Sequence, residues 1–340
     1  MSKSFVYTSI FAPYFHQYLR EKESFGQKAE QIKWTLREFD RFFLQTGQKT
    51  LYISSDMVRS WAETRTNDSC STLYHKYSVL TDFCRYMCLL GHECFIPRLP
   101  RKKRNDNFTP VIFTHEQMRD IFNACDNLVM KEHHTTSIMF IIPALLRLLY
   151  STGIRISEAL SILNRDVDFE RHVILLNRTK NKCQRLAPIN ESLEQILKQY
   201  ISYRDRIPVI NVANPDKHLF ISTAGKACSR RTVLAYFYRI LEECGIPRRC
   251  DQRGPRLHDV RHTTGVHSLI KLTSEGSDFN VFLPLLAALM GHKNVIDTEH
   301  YLRLTKEAYP EILNMNAEIS SDIYNIVTSK LLIDYENRDD

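Results

Sequence analysis

Residues 97–110 (PRLPRKKRNDNFTP) carry three prolines, four successive basic residues and no apolar periodicity. Proline lacks an amide hydrogen and holds the residue before it extended, so this stretch continues neither a helix nor a central strand. It reads as a linker between two separately folded pieces. The chain has 340 residues, enough for two domains that each bury a core. The predicted division is a first domain over 1–100, a linker over 101–111, and a second domain over 112–340 that ends in a tail from about 310.

The first hundred residues read as helices alone. Ile32, Leu36, Phe39 and Phe43 recur at intervals of four, three and four, the stripe of an amphipathic helix. Lys33, Arg37 and Arg41 recur on another face of that helix, where they form a basic stripe that suits DNA phosphates, although Glu30 and Glu38 decorate the helix too. Further helices are expected near 8–22, 54–66 and 71–91. Charge is uneven along the chain. Of the formal net charge of +7, residues 1–111 hold 17 Lys and Arg against 11 Asp and Glu, so most of the excess lies there. A basic face and the linker cations Arg101, Lys102, Lys103 and Arg104 favour a polyanionic partner, with salt-sensitive phosphate contacts. That basic run also matches a nuclear-localisation pattern, a weak signal in a DNA-binding linker.

No run of 18 apolar residues is present and the first residues lack a signal-peptide pattern, so the expectation is a cytoplasmic protein without membrane contact. Nine cysteines without a secretory signal read as reduced thiols. Cys84, Cys88, His92 and Cys94 are spaced as zinc ligands can be, but Cys84 and Cys88 fall in the apolar repeat of a helix, and no metal is expected.

The second domain is expected to be mostly helical, with helices near 114–127, 135–151, 156–163, 191–205, 229–244, 258–271 and 279–290 and a small antiparallel sheet within 167–190. Chemistry is concentrated in five places. Arg155 lies in TGIRISE, Lys180 in RTKNKCQR, His258 and Arg261 in LHDVRHT, His292 in LMGHKN, and Tyr301 nine residues further on. Arginine forks meet phosphate oxygens two at a time and stay charged, which suits the equatorial charge of a phosphoryl-transfer transition state. His258 and Arg261, three apart on a helix, share a face. Glu158 is placed likewise relative to Arg155 and is expected to hold the cationic groups in position. His292 follows an apolar run, FLPLLAALM (282–290), read as a helix with Pro284 in its first turn and Gly291 as a left-handed cap, and a new helix is expected to start at Thr298. A phenol with a reference pKa of about 10 is ionised in only about one molecule per thousand at neutral pH, so Tyr301 needs such cations around it.

In order, spacing and context these elements resemble the tyrosine recombinases of the phage integrase family. The resemblance covers nearly the whole chain and is strongest over 145–305. It implies a four-helix, SAM-like core-binding domain followed by a helical catalytic domain with one small sheet. It also implies that DNA is cut and rejoined through a 3′-phosphotyrosine on Tyr301, without ATP, cofactor or metal. Arg155, His258, Arg261 and His292 would hold the scissile phosphate, and Lys180, at the turn of a hairpin, would protonate the leaving oxygen; Lys182 is the alternative. The family implies double-stranded DNA with inverted half-sites, a homodimer on each site and a homotetramer in synapsis. A tail bearing Ile319, Ile323, Ile326 and Val327 would dock on a neighbouring protomer. The role implied first is that of a mobile-element integrase or transposase, with chromosome-dimer resolution next. A type IB topoisomerase, or a non-catalytic DNA-binding accessory protein, is the alternative from another class.

Overall fold

The computed structural model describes residues 6–27, 29–101, 109–129, 137–177, 184–246, 254–275 and 279–292. The chain forms two compact units, Met1–Phe108 and Thr109–Asp340. Among the described residues the architecture is mostly helical, with one three-stranded antiparallel sheet.

Among its described residues the first unit holds four helices, α1 (Ala12–Ser24), α2 (Glu30–Gln45), α3 (Ser55–Glu63) and α4 (Cys70–Leu89). Ser54 and Ser69 start α3 and α4 by accepting hydrogen bonds from Met57 N and Thr72 N. Aromatic rings fill the core. Phe11, Phe15, Phe39, Trp61 and Phe83 are all at most 1% exposed. Leu36, Phe39 and Phe43 of the apolar stripe point into this core, while Ile32 packs at its edge. The basic stripe is less uniform than its spacing suggests: Lys33 is drawn into an ion pair with Glu23 at 2.6 Å, Arg37 lies over the Trp34 ring, and Arg41 is exposed. Asp40, between them, is buried because its carboxylate accepts from Thr8 N and Ser9 N, which fastens the chain entering α1. Cys84 sits wholly inside the core, and burial pushes its thiol pKa up. The Cys94 thiol donates to the Leu51 carbonyl.

In the second unit α5 (His115–Asp126) opens with a complete capping box between Thr114 and Gln117. The segment expected as one helix over 135–151 instead contains a 3₁₀ turn, Met139–Ile141, followed by α6 (Ile142–Thr152). Pro143 in the first turn explains the change, because it fits where amide hydrogens have no intrahelical partner. α6 is apolar on nearly every face, with Ile142, Ala144, Leu145, Leu146, Leu148 and Leu149 all buried. It is therefore the central rod, packed by α5, by α8 (Glu191–Arg204) and by α10 (Leu257–Ser274).

α6 ends at Gly153 in the left-handed conformation (φ 62°), and α7 (Ile156–Ala159) begins with Arg155 as its extended N-cap. α7 stops four residues short of the expected helix over 156–163. The following segment pairs instead with a distant strip: Leu219 N donates to Ile162 O at 2.8 Å and Asn164 N to Lys217 O at 2.9 Å. The sheet has the order β1 (Val167–Asp168), β2 (Val173–Leu176), β3 (Arg185–Pro188). α9 (Arg230–Glu243) and α11 (Phe279–Met290) are the remaining helices among the described residues; Pro284, expected in a first turn, lies inside α11 because that helix already starts at Phe279. Among the described residues no helix is long and apolar enough to cross a membrane.

Candidate active site

The site is organised by one helix end. The last carbonyls of a helix have no intrahelical donor, and the dipole concentrates partial negative charge there. At the end of α11 every one of these carbonyls is accounted for. His292 N donates to Ala287 O and Gly291 N to Ala288 O, both at 3.0 Å. Gly291 adopts φ 64°, the left-handed cap that closes such a turn. The next three carbonyls take guanidinium groups from three different elements. Arg185 Nε donates to Leu289 O at 3.1 Å, Arg261 Nη2 to Met290 O, and Arg155 Nη2 to Gly291 O at 3.3 Å. His292 leaves the helix immediately beyond them.

Glu158 joins two of the three arginines. Its side chain is 1% exposed. Its Oε2 accepts from the Arg155 backbone amide at 2.9 Å and its Oε1 from Arg155 Nη1 at 3.0 Å. Arg185 grips the same carboxylate with both Nη atoms, at 3.1 and 2.7 Å. Burial alone would raise the carboxyl pKa; the hydrogen bonds and charges of Arg185 and Arg155 outweigh burial and hold it below the usual glutamate value. Glu158 is thus an anion at neutral pH, with a structural task. Arg261 is buried, and its Nη1 donates to Gly153 O at 2.6 Å, which ties α10 to the turn that presents Arg155.

His258 lies one residue into α10 and is exposed, with the ring edge-on to His262 at 4.9 Å. Partial desolvation, followed by the positive charges of Arg261, Arg256, Arg155 and Arg230, pushes its pKa down to about 4. At neutral pH the imidazole is therefore uncharged and offers one donor and one acceptor.

The structure thus brings Arg155, Glu158, Arg261 and His292 to one helix end, with His258 inside the same positive field. Lys180, Lys182, Tyr301, the linker residues Lys102, Lys103 and Arg104, the expected start at Thr298 and the tail stripe lie outside the described residues. Arg101 is exposed. Three cations were not singled out from the sequence. Arg256 reaches the Asp259 carboxylate at 2.9 Å, and with Arg230 it adds to the field at His258. Arg185 is the third, and its signal is strand alternation. Arg185, Ala187 and Ile189 alternate with the exposed Leu186, and the register pairs Leu176 with Arg185 and Ile174 with Ala187. Since directly paired residues share a face, Arg185 shares its face with a buried leucine and reaches Glu158.

Comparison with known proteins places the same region in a family. The phage integrase family model matches residues 112–308. A putative integrase/recombinase, y4rB, from Sinorhizobium fredii is 25% identical over 308 residues, covering 90% of this chain and 96% of its own length. Tyrosine recombinase XerC from Chlamydia caviae is 28% identical over 257 residues, 72% of each chain. Among solved structures, the XerH site-specific recombinase bound to palindromic difH substrate aligns with a TM-score of 0.61 at 18% identity, covering 89% of this chain and 84% of that one.

Proposed function

The chain belongs to the phage integrase family of tyrosine recombinases, enzymes that cleave and rejoin DNA with a tyrosine nucleophile, and we propose that Tyr301 is that nucleophile. Its phenol attacks the scissile phosphorus and the 5′-oxygen leaves, giving a 3′-phosphotyrosine that keeps the energy of the phosphodiester, so resealing needs no ATP. The observation that carries this reading is the set of three guanidinium groups fixed at one helix end. Arg155 and Arg261 approach the non-bridging oxygens as donors already held in place, which is how a site stabilises charge that develops in a transition state. His258 and His292 complete the hydrogen bonding of the phosphate. Lys180, or Lys182 two residues later, protonates the departing oxygen. The chemistry asks for no metal.

The first unit, the linker cations and the Lys33, Arg37 and Arg41 stripe bind the duplex. Two protomers occupy inverted half-sites and two such dimers pair as a tetramer, with the tail of one protomer seated on the next. The palindromic DNA bound by XerH supports the half-site geometry. The first choice of role is a mobile-element integrase or transposase in the bacterial cytoplasm, supported by the near full-length match to an integrase/recombinase. Chromosome-dimer resolution is the second, supported by the match to XerC.

The test uses nicked duplexes of random sequence from which the wild-type protein captures its own site as a covalent adduct. Tyr301→Phe removes only the phenolic oxygen, so the variant is expected to bind the recovered duplex and form no adduct. Adducts at the wild-type rate from Tyr301→Phe would exclude the assignment. Recovered sites that flank the gene as terminal repeats would fix the mobile-element role, whereas a single chromosomal site would favour resolution.

A further inference from the structure

We infer that Arg185, on β3, is a positioning residue for the phosphate site: it locks Glu158 and the C-terminal end of α11 together, and thereby sets the orientation of Arg155 and His292. The inference rests on the proposed recombinase reading and adds a residue that touches neither phosphate nor nucleophile.

Three observations support it. Arg185 makes three-point use of its planar group, two bonds to Glu158 and one to Leu289 O, at a side-chain exposure of only 12%. Its bidentate hold on Glu158 leaves Arg155 with a single side-chain bond to Oε1 and frees its other Nη for Gly291 O. Without Arg185, both Glu158 oxygens would compete for the Arg155 fork and turn it from the phosphate. Finally, the contact with α11 is so close that a side chain at the cap would have to push the guanidinium off its three bonds. A Cβ on Gly291 would lie 2.7 Å from Arg185 Cζ and Nη1. Glycine at 291 is therefore favoured twice, by its positive φ and by the guanidinium packed on it.

A purely structural ion pair would also be buried, so the test separates geometry from stability. On the duplex captured by the wild-type protein, single-turnover cleavage at saturating DNA is measured for Arg185→Gln and Arg185→Lys, together with duplex affinity and amide exchange in α11. Misplacement of reacting groups by about 1 Å costs on the order of 10²-fold in rate. Arg185→Gln is expected to lose about that much in cleavage rate with affinity within a few-fold of wild type. Arg185→Lys, which keeps the charge and one donor direction, is expected to recover part of the loss. Cleavage by Arg185→Gln at the wild-type rate would overturn the inference, as would a loss of affinity equal to the loss of rate.

A duplex with sulfur in place of the bridging 5′-oxygen adds a second discrimination. Sulfur leaves without a proton, so this substrate bypasses the lysine. The Arg185→Gln defect is expected to persist on it. Full recovery would show that Arg185 acts on the Lys180 hairpin and not through Arg155 and His292. If the wild-type protein forms no tyrosine adduct on any duplex, it is the recombinase reading that fails.

Discussion

His267 stacks on His115 with ring centroids 3.8 Å apart, and its Nδ1 lies 2.7 Å from the Tyr150 hydroxyl. Desolvation, then the neighbouring His115, pushes its pKa down to about 4, against a smaller opposing effect of the Phe113 carbonyl. The unfolded chain binds this proton near pH 6.5 and the folded chain only near 4, so stability is present above that window and is lost as pH falls through it. Between pH 7 and 4.5 the wild-type protein is expected to lose about 2 kcal/mol more than His267→Gln, read from urea unfolding at the two pH values. Equal losses would mean that His267 does not carry the effect. Gly291→Ala makes the opposite kind of demand. The alanine must adopt φ 64° and displace the Arg185 guanidinium. The variant is expected to be destabilised by about 1 kcal/mol or more and to cleave as slowly as Arg185→Gln. Unchanged melting and cleavage would contradict the close approach. The glycine cap was legible in sequence, since an apolar helical run that stops at a glycine follows general rules of helix termination, whereas the reading of Pro284 as a first-turn proline fails because α11 begins at Phe279 and carries Pro284 in its interior. The cap's second reason, the arginine from a strand about a hundred residues earlier, was not legible.

At the scale of elements, local periodicity located the helices where apolar residues recur along one face, and it failed where a distant segment competes. The residues after Ala159 have the composition of a continuing helix, yet Ile162 and Asn164 bond to the 217–219 strip and the bridge between Leu163 and His218 takes the chain out of helix. Such a pairing becomes visible only when the sheet is assembled. The same holds for Arg185, whose strand could be read but whose register against Leu176 decides that the side chain turns inward. By contrast α6 announces itself through a nearly unbroken apolar run. Leu145 in its middle is fully buried, and Leu145→Ala is expected to cost about 2–5 kcal/mol in unfolding free energy. Because Arg155 and the Gly153 carbonyl that receives Arg261 are both carried at the end of α6, even a folded Leu145→Ala protein should cleave more slowly. A shift in the denaturation midpoint too small to resolve would show that α6 is not the central rod.

At the scale of the whole molecule, each unit has its own core: aromatic rings in the first, and aliphatic residues around α6 in the second. The separation follows from the proline-rich segment, across which no helical stripe runs. Net charge separates too, with most of the excess positive charge in residues 1–111. Binding that neutralises DNA phosphates releases counterions, and the slope of log affinity against log salt is roughly −0.9 per phosphate contacted on B-DNA. A fragment of residues 109–340 is therefore expected to fold, since its core needs nothing from the first unit. It should bind a duplex of arbitrary sequence more weakly than the full chain, and with a shallower salt slope. The full chain with Arg101, Lys102, Lys103 and Arg104 changed to Gln should lie between the two. A fragment with the salt slope of the full chain would show that the catalytic unit alone makes the phosphate contacts. In that case the basic stripe on α2 is only a solvated face, as its ion pair between Lys33 and Glu23 already makes it in part.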